Sequence, residues 1–375
     1  MNTANSHAAE RRNLRTALCF LAPNLLGFLA FTAFPVGLSL FMSFTNWDLK
    51  PGAELEWVGL RNYTDLLGSS KFWFYFYNTF YFMLGIPISV FLSLLLANML
   101  VDPMRIGRAG LRRALAAVIV AAGLLTCVPL FLAGSRDTAL LLGLFYAAGF
   151  FGVLFGSSTF RTMFYIPNFA AGVATIILWM QIFNPHTGMA NEWLGSLFEV
   201  LGIDAELPTW LVSTRNLLGF LPLPESFNNG GFGFGAREAI IIMGIWSGIG
   251  GNNMILYIAA IANIPDNLYE AAAIDGAGPL ARFRHVTVPS VAPTTFFIVI
   301  MSIIGGLQGG FETARVMTQG GPAGITTTLS YYIYSTGFEE LKLGYSAAVS
   351  WILFLVVFVA TLVYWRKGNR QMESL

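Results

Sequence analysis

The acidic set in this 375-residue chain whose residue types could do chemistry is Asp266, Glu270 and Asp275, within Ile264-Pro265-Asp266-Asn267-Leu268-Tyr269-Glu270-Ala271-Ala272-Ala273-Ile274-Asp275-Gly276-Ala277-Gly278-Pro279. Clustered carboxylates suit metal-assisted or general-base chemistry. Their spacing here fits a capped helix better than a metal site. His186 and His285 have no carboxylate or cysteine at metal-ligand spacing, and with His7 they read as solvated. Cys19 and Cys127 sit in apolar runs with no basic neighbour to lower a thiol pKa, which points to packing rather than catalysis or a disulfide. None of the four lysines follows the glycines of a Gly-x-x-x-x-Gly-Lys-Ser/Thr phosphate loop, so the chain has no ATP site of that kind. These residues assign no catalytic group, no cofactor and no metal.

The acidic segment has the marks of a short helix. Pro265 suits the first helical position, where a missing N–H is harmless. Asp266 faces the positive end of the helix dipole. Ala271, Ala272 and Ala273 are strong helix formers, and Gly276 permits the positive φ of a helix C-terminus. Pro279 can open a second short helix and Pro289 marks the return to an apolar stretch. The expectation is a helix–turn–helix of which one helix of about two turns is presented to solvent.

The elements around this segment are set by composition. The chain is 55% hydrophobic, 15% aromatic and 11% charged, with mean hydropathy +0.64. Soluble domains carry roughly 25% charged residues, so lipid must cover much of this surface. A net charge of +1 without a basic run gives no hint of nucleic acid, and no nucleic-acid partner is expected. Arg11, Arg12 and Arg15 precede an apolar run far longer than the ~7–15 residues of a signal peptide, which is read as a retained first span.

Eight stretches approach the ~20 apolar residues needed to cross a bilayer: about 18–44, 74–100, 113–133, 138–157, 162–183, 238–262, 291–311 and 346–365. With the N-terminus inside, thirteen of the 21 Lys and Arg fall in short inner segments, so the positive-inside rule puts both termini in the cytoplasm. The outer face then carries the loops 184–237 and 312–345, and the acidic helix lies in the inner loop 263–290. The expected fold is all-α, a polytopic transmembrane helix bundle.

Glu270-Ala271-Ala272, then Asp275-Gly276-Ala277, Phe283 and Val288-Pro289, resembles the "EAA" signature of permease subunits in binding-protein-dependent ABC importers. Further stretches are similar to the carbohydrate-uptake branch, in its maltose- and glycerol-phosphate-type first permease: Ser43-Phe44-Thr45-Asn46-Trp47-Asp48, Gly244-Ile245-Trp246-Ser247-Gly248, Thr318-Gln319-Gly320-Gly321-Pro322 and Thr326-Thr327-Thr328-Leu329. The resemblance covers about 300 residues. It implies a bacterial inner-membrane subunit that forms half of a carbohydrate pathway. Its partners would be a second permease subunit, a pair of cytoplasmic ATP-binding subunits and an external solute-binding protein. The loop 264–278 would dock on the ATPase through Glu270, Ala271, Ala272, Asp275, Gly276 and Ala277.

The resemblance also exposes a departure. The Arg161-Thr162-Met163-Phe164-Tyr165-Ile166-Pro167 start of the third family span arrives after two additional apolar stretches. The expected organisation is a cytoplasmic segment 1–17, two spans with an outer loop at 18–100, an inserted helix pair at 101–160 and a permease core at 161–375. That makes a six-span core plus a pair, with a re-entrant hairpin as the alternative for the pair. Uncharged spans argue against an ion-coupled carrier. Neutral polar groups suit a polyhydroxyl solute, which singles out Ser247, Asn252, Asn253, Ser302 and Gln308, with Ser302 first because maltose-type permeases have a sugar-contacting serine there. Glycines four apart (Gly244/Gly248, Gly305/Gly309, Gly306/Gly310) read as packing notches. The competing reading is a membrane-embedded transferase-type enzyme, which need not copurify with an ATPase.

Overall fold

A computed structural model describes residues 3–49, 54–101, 109–132, 157–169, 172–202, 204–221 and 230–372, with scattered positions between these segments. Among the described residues regular structure is helical, as expected. Extended pairing is confined to isolated bridges such as Thr45 with Trp57 and Asp48 with Lys342. The chain divides into two compact units, Met1–Trp73 with Tyr332–Leu355, and Phe74–Tyr331 with Val356–Leu375.

In the first unit, α1 (Thr3–Phe28) runs through a π-helical turn, Leu29–Ala33, into α2 (Phe34–Ser43). The most apolar window of this span holds no buried residue, so the unit itself does not cover it. The chain then folds back. Asn62, on α3 (Arg61–Gly68), donates from Nδ2 to the carbonyls of Ser43 and Thr45, both at 2.9 Å. Tyr63 donates its hydroxyl to Ser43 Oγ at 2.7 Å, and Phe44 stacks on Trp57 at 5.6 Å. The Ser43–Asp48 run is thus a turn held by side chains.

The second unit contains most of α4 (Ser70–Phe82), then α5 (Gly85–Val101), α6 (Ala109–Leu132), α7 (Ser157–Tyr165), α8 (Gly172–Ile182) and α9 (Met189–Leu201). It continues with α10 (Ala236–Ile249), α11 (Asn252–Ala262), α12 (Asp266–Ile274), α13 (Pro279–Arg282) and α14 (Ala292–Gln308). It closes with the start of α15 (Leu329–Tyr334) and the end of α16 (Leu343–Met372). Inside a bilayer, lipid competes for apolar contacts, so helices are joined by close packing and polar bonds. Here α5 meets α10 and α11 closely: Ser93 Oγ donates to the carbonyls of Gly248 and Ile249 at 2.9 and 3.0 Å. A buried cluster including Leu94, Ala97, Met254, Tyr257, Ile264, Val291 and Ile298 continues this seam.

Among the described residues, four helical stretches are long and apolar enough to cross a bilayer: Thr16–Ser43, Ser70–Val101, Ala236–Ala262 and Leu343–Arg366. Pro279–Ser290 and Ala292–Gln308, bent by 68° at Val291, form a fifth if taken as one span. The stretch expected at 162–183 is not one continuous helix. It is α7, a 3₁₀ turn at Ile166–Phe169, then α8, because Pro167 has no N–H to continue the α-helical ladder. The stretch expected at 113–133 lies in α6, and that at 138–157 falls largely outside the described residues. Where the inserted stretches are described, Gly123 lies against the ring of Tyr146.

Candidate functional site

The acidic helix forms, one residue later than expected. Pro265 is its N-cap, with φ −59° and ψ 134°, and α12 begins at Asp266. The shift is small because proline's fixed φ suits either position and only ψ separates them. At the other end Gly276 has φ +79°. The N–H of Gly276 reaches the carbonyl of Ala273 at 3.1 Å, and the N–H of Ala277 reaches that of Ala272 at 2.9 Å. This is the Schellman arrangement, which needs a left-handed residue where Gly276 stands. Pro279 opens α13 as expected.

This loop is exposed but anchored. Glu270, Ala271, Asp275 and Gly276 are exposed, whereas Ala272 and Ala277 are half-buried. Ile274 is 86% exposed and Leu280 79%, an apolar surface left uncovered by the described residues. Asp266, Tyr269, Glu270, Ala273 and Arg282 line a cleft of about 350 Å³. From its inner side, Tyr269 shares a hydrogen bond of 3.0 Å with Thr287 and packs, with Phe283, against the buried α5–α11–α14 cluster. Arg282 Nε donates to the Ala277 carbonyl at 2.8 Å. A displacement of α12 therefore bears directly on the packed spans.

A cavity of about 230 Å³ opens between α5, α10 and α14. Its polar lining is Ser89, Thr313, Thr326 and Thr328, its apolar lining includes Phe82, Ile241 and Met243, and glycines expose backbone between them. None of the described residues lining it is charged. The glycine pairs divide between two roles. A methyl on Gly248 would meet Ser89 Cβ at 2.9 Å, so that glycine is a packing notch, while Gly244 and Gly305 face open space and line the cavity.

The polar residues singled out from sequence are not among the described residues lining this cavity. Ser302 is half-buried on α14, Ser247 is exposed on α10, and Asn253 is half-buried at the start of α11. Gln308 ends α14 exposed, its carbonyl accepting from Ser330 Oγ at 2.6 Å. Asn252 Oδ1 accepts from Tyr165 OH at 3.2 Å, joining α11 to α7.

Sequence reasoning missed a buried polar cluster at the head of α10. Arg237 is fully buried and Glu238 is 2% exposed. Arg237 donates to Asn78 Oδ1 at 2.6 Å and to the carbonyls of Ile325 and Phe227, each at 3.2 Å. Glu238 accepts from Tyr81 OH at 2.5 Å and from the N–H groups of Leu217 and Gly235. The available signal was an Arg-Glu pair opening an apolar run, together with Asn78-Thr79 inside the aromatic run of α4.

Comparison with known proteins adds a family. The family described as "Binding-protein-dependent transport system inner membrane component" matches residues 139–366. Relatives include the probable ABC transporter permease protein YesP of Bacillus subtilis, 26% identical over 97% of this chain and 93% of its own. The sn-glycerol-3-phosphate transport system permease protein UgpA of Pectobacterium atrosepticum is 28% identical over 94% of this chain and 93% of its own. Among solved structures, a chain of a bacterial ABC transporter importing the acidic polysaccharide alginate superposes with TM-score 0.64 at 21% identity, over 97% of this chain and 99% of that one. A second structure of a bacterial alginate ABC transporter, in complex with an alginate pentasaccharide-bound periplasmic protein, gives TM-score 0.62, also at 21% identity, over 99% of this chain and 98% of that one.

Proposed function

Because this chain belongs to the family of binding-protein-dependent transport system inner membrane components, we propose that it is the permease subunit of a carbohydrate ABC importer, driven by a separate ATPase through the loop 264–278. The observation that carries the reading is α12. It is a short exposed helix fixed at one end by Gly276 and tied through Tyr269 to the packed spans. Glu270, Ala271, Ala272, Asp275, Gly276 and Ala277 are the residues that meet the motor. Cytoplasmic ATP-binding subunits form a pair beneath the membrane, and their closure moves α12 and with it α5, α11 and α14.

The cavity beside Gly244 and Gly305 is this chain's share of the pathway. Its ~230 Å³ is below the roughly 300–1,000 Å³ of a complete ligand site, which supports a second permease subunit closing the other side. Hydroxyl groups, bare backbone and aromatic or aliphatic walls suit a neutral polyhydroxyl solute. The relative named for sn-glycerol-3-phosphate transport supports a polyhydroxyl solute class without bearing on its charge. Ser302, Gln308, Ser247, Asn252 and Asn253 stay candidates for solute contact along the rest of the path. Eight spans with both termini cytoplasmic, an inserted pair within 101–160 and outer loops facing a solute-binding protein complete the arrangement.

The test is affinity purification of the chain from membranes in detergent. An ATP-hydrolysing subunit and a second permease should follow it, and Glu270→Lys should release the ATPase while leaving the permease pair together. A chain that purifies alone with its activity intact would point to the membrane-embedded transferase.

A further inference from the structure

One wall of the cavity is held partly from outside itself. Between Thr318 and Leu329 the backbone is irregular, with positive φ at Gln319 (51°), Gly320 (79°), Ala323 (49°) and Gly324 (77°). Yet this segment presents Thr326 and Thr328 to the cavity, and the residues between Ile325 and Leu329 are all buried. A segment without a helical ladder needs its carbonyls satisfied from elsewhere.

Part of this is done locally, since the carbonyls of Thr318, Gly320, Gly321 and Pro322 accept from within the segment, but those of Gly324, Ile325 and Thr327 are reached by two side chains from distant elements. Asn78, on α4, donates from Nδ2 to the carbonyls of Gly324 and Thr327 at 3.0 and 3.1 Å. Its Oδ1 accepts from Arg237 Nη2 at 2.6 Å, and Arg237 Nε itself donates to the Ile325 carbonyl at 3.2 Å. The guanidinium is enclosed by the rings of Phe74, Tyr77 and Tyr81, with centroids 5.8, 5.3 and 5.0 Å away. A fully buried cation persists only where such partners surround it.

We propose that Asn78 and Arg237 are positioning residues for the solute: they hold the 320–328 segment so that Thr326 and Thr328 face the pathway, and they thereby set which solute the wall accepts. This rests on the reading of the cavity as part of the translocation path. A charge retained at zero exposure is a demanding way to fasten a loop. The fork geometry of arginine is what lets one side chain reach Asn78, Ile325 and Phe227 together.

The test uses the whole transporter in native membrane vesicles, with Cys19→Ser and Cys127→Ser and a single reporter, Thr328→Cys. A small hydrophilic methanethiosulfonate reports how fast that wall position reacts. Thr313→Cys, which lines the same cavity from outside the 320–328 segment, is the control. Asn78→Ala or Arg237→Gln should change the Thr328→Cys rate by about tenfold and leave Thr313→Cys alone, since a lost hydrogen bond to a charged group frees the segment locally. Arg237→Lys should fall between. An unchanged Thr328→Cys rate, or an equal change at both reporters, overturns the proposal. If neither reporter reacts in the parent, the cavity is not a wet path, and the reading on which the proposal rests fails first. Should Arg237→Gln not reach the membrane, the Asn78→Ala comparison decides.

Discussion

The backbone carbonyl of Phe164 occupies the place where a side chain on Gly250 would have to begin. The contact joins two interrupted helices at their interruptions. Phe164 stands just before the 3₁₀ turn Ile166–Phe169, and Gly250-Gly251 separates α10 from α11. Asn168 approaches Gly251 as well, its Oδ1 lying 3.3 Å from where a methyl on that glycine would sit.

Gly250→Ala should therefore be costly, because backbone rather than a movable side chain is in the way. Overpacking of this kind costs about 1–3 kcal/mol. Thermal unfolding of the purified complex should shift down by several degrees, and uptake should fall with it. Gly244→Ala is the matched control, since nothing lies within 4 Å of its methyl position; it should leave thermal stability unchanged.

Gly276 tests backbone strain without any crowding. It has φ +79° and open space around it. A valine there meets no neighbour but must adopt a left-handed conformation at a penalty of about 1–2 kcal/mol. Gly276→Val should leave the amount of chain in the membrane unchanged while ATP-driven uptake drops sharply, because the Schellman turn that ends α12 is lost. Gly278→Ala, where φ is −70°, should transport normally.

Gly248 and Gly305 should separate stability from transport. Gly248→Ala forces a methyl onto Ser89 Cβ and should lower the melting temperature. Gly305→Val adds side chain to open cavity and should reduce uptake at an unchanged melting temperature. If the two variants behaved alike, the cavity would have no special standing among the glycine contacts.

Much of this was readable from residue order, and the gaps have physical causes. Long apolar runs announce spans because every backbone group in lipid must be bonded within its own helix. Gly276 announced its turn because few other residues accept that φ. The Pro167 interruption of 162–183 was visible as a residue, but the seating of Phe164 on Gly250 and of Asn168 beside Gly251 is a long-range contact that residue order does not reveal. Arg237 falls at the end of the expected outer loop 184–237, and its burial depends on Asn78, 159 positions away. The polar residues singled out from sequence do not include the glycines that line the cavity, which offer bare backbone and space. Thr326 and Thr328, quoted from the sequence only as part of a family-like stretch, are carried to the cavity by a segment with no periodic signature.

The claim that α12 passes force from a separate motor is tested most directly by a photo-cross-linking residue at Ile274, which is 86% exposed at the tip of the helix. In native membranes a covalent adduct with an ATP-binding subunit is expected, strengthened or weakened by nucleotide. An adduct only with an external protein, or labelling of Ile274→Cys by an impermeant reagent added outside intact cells, would contradict it.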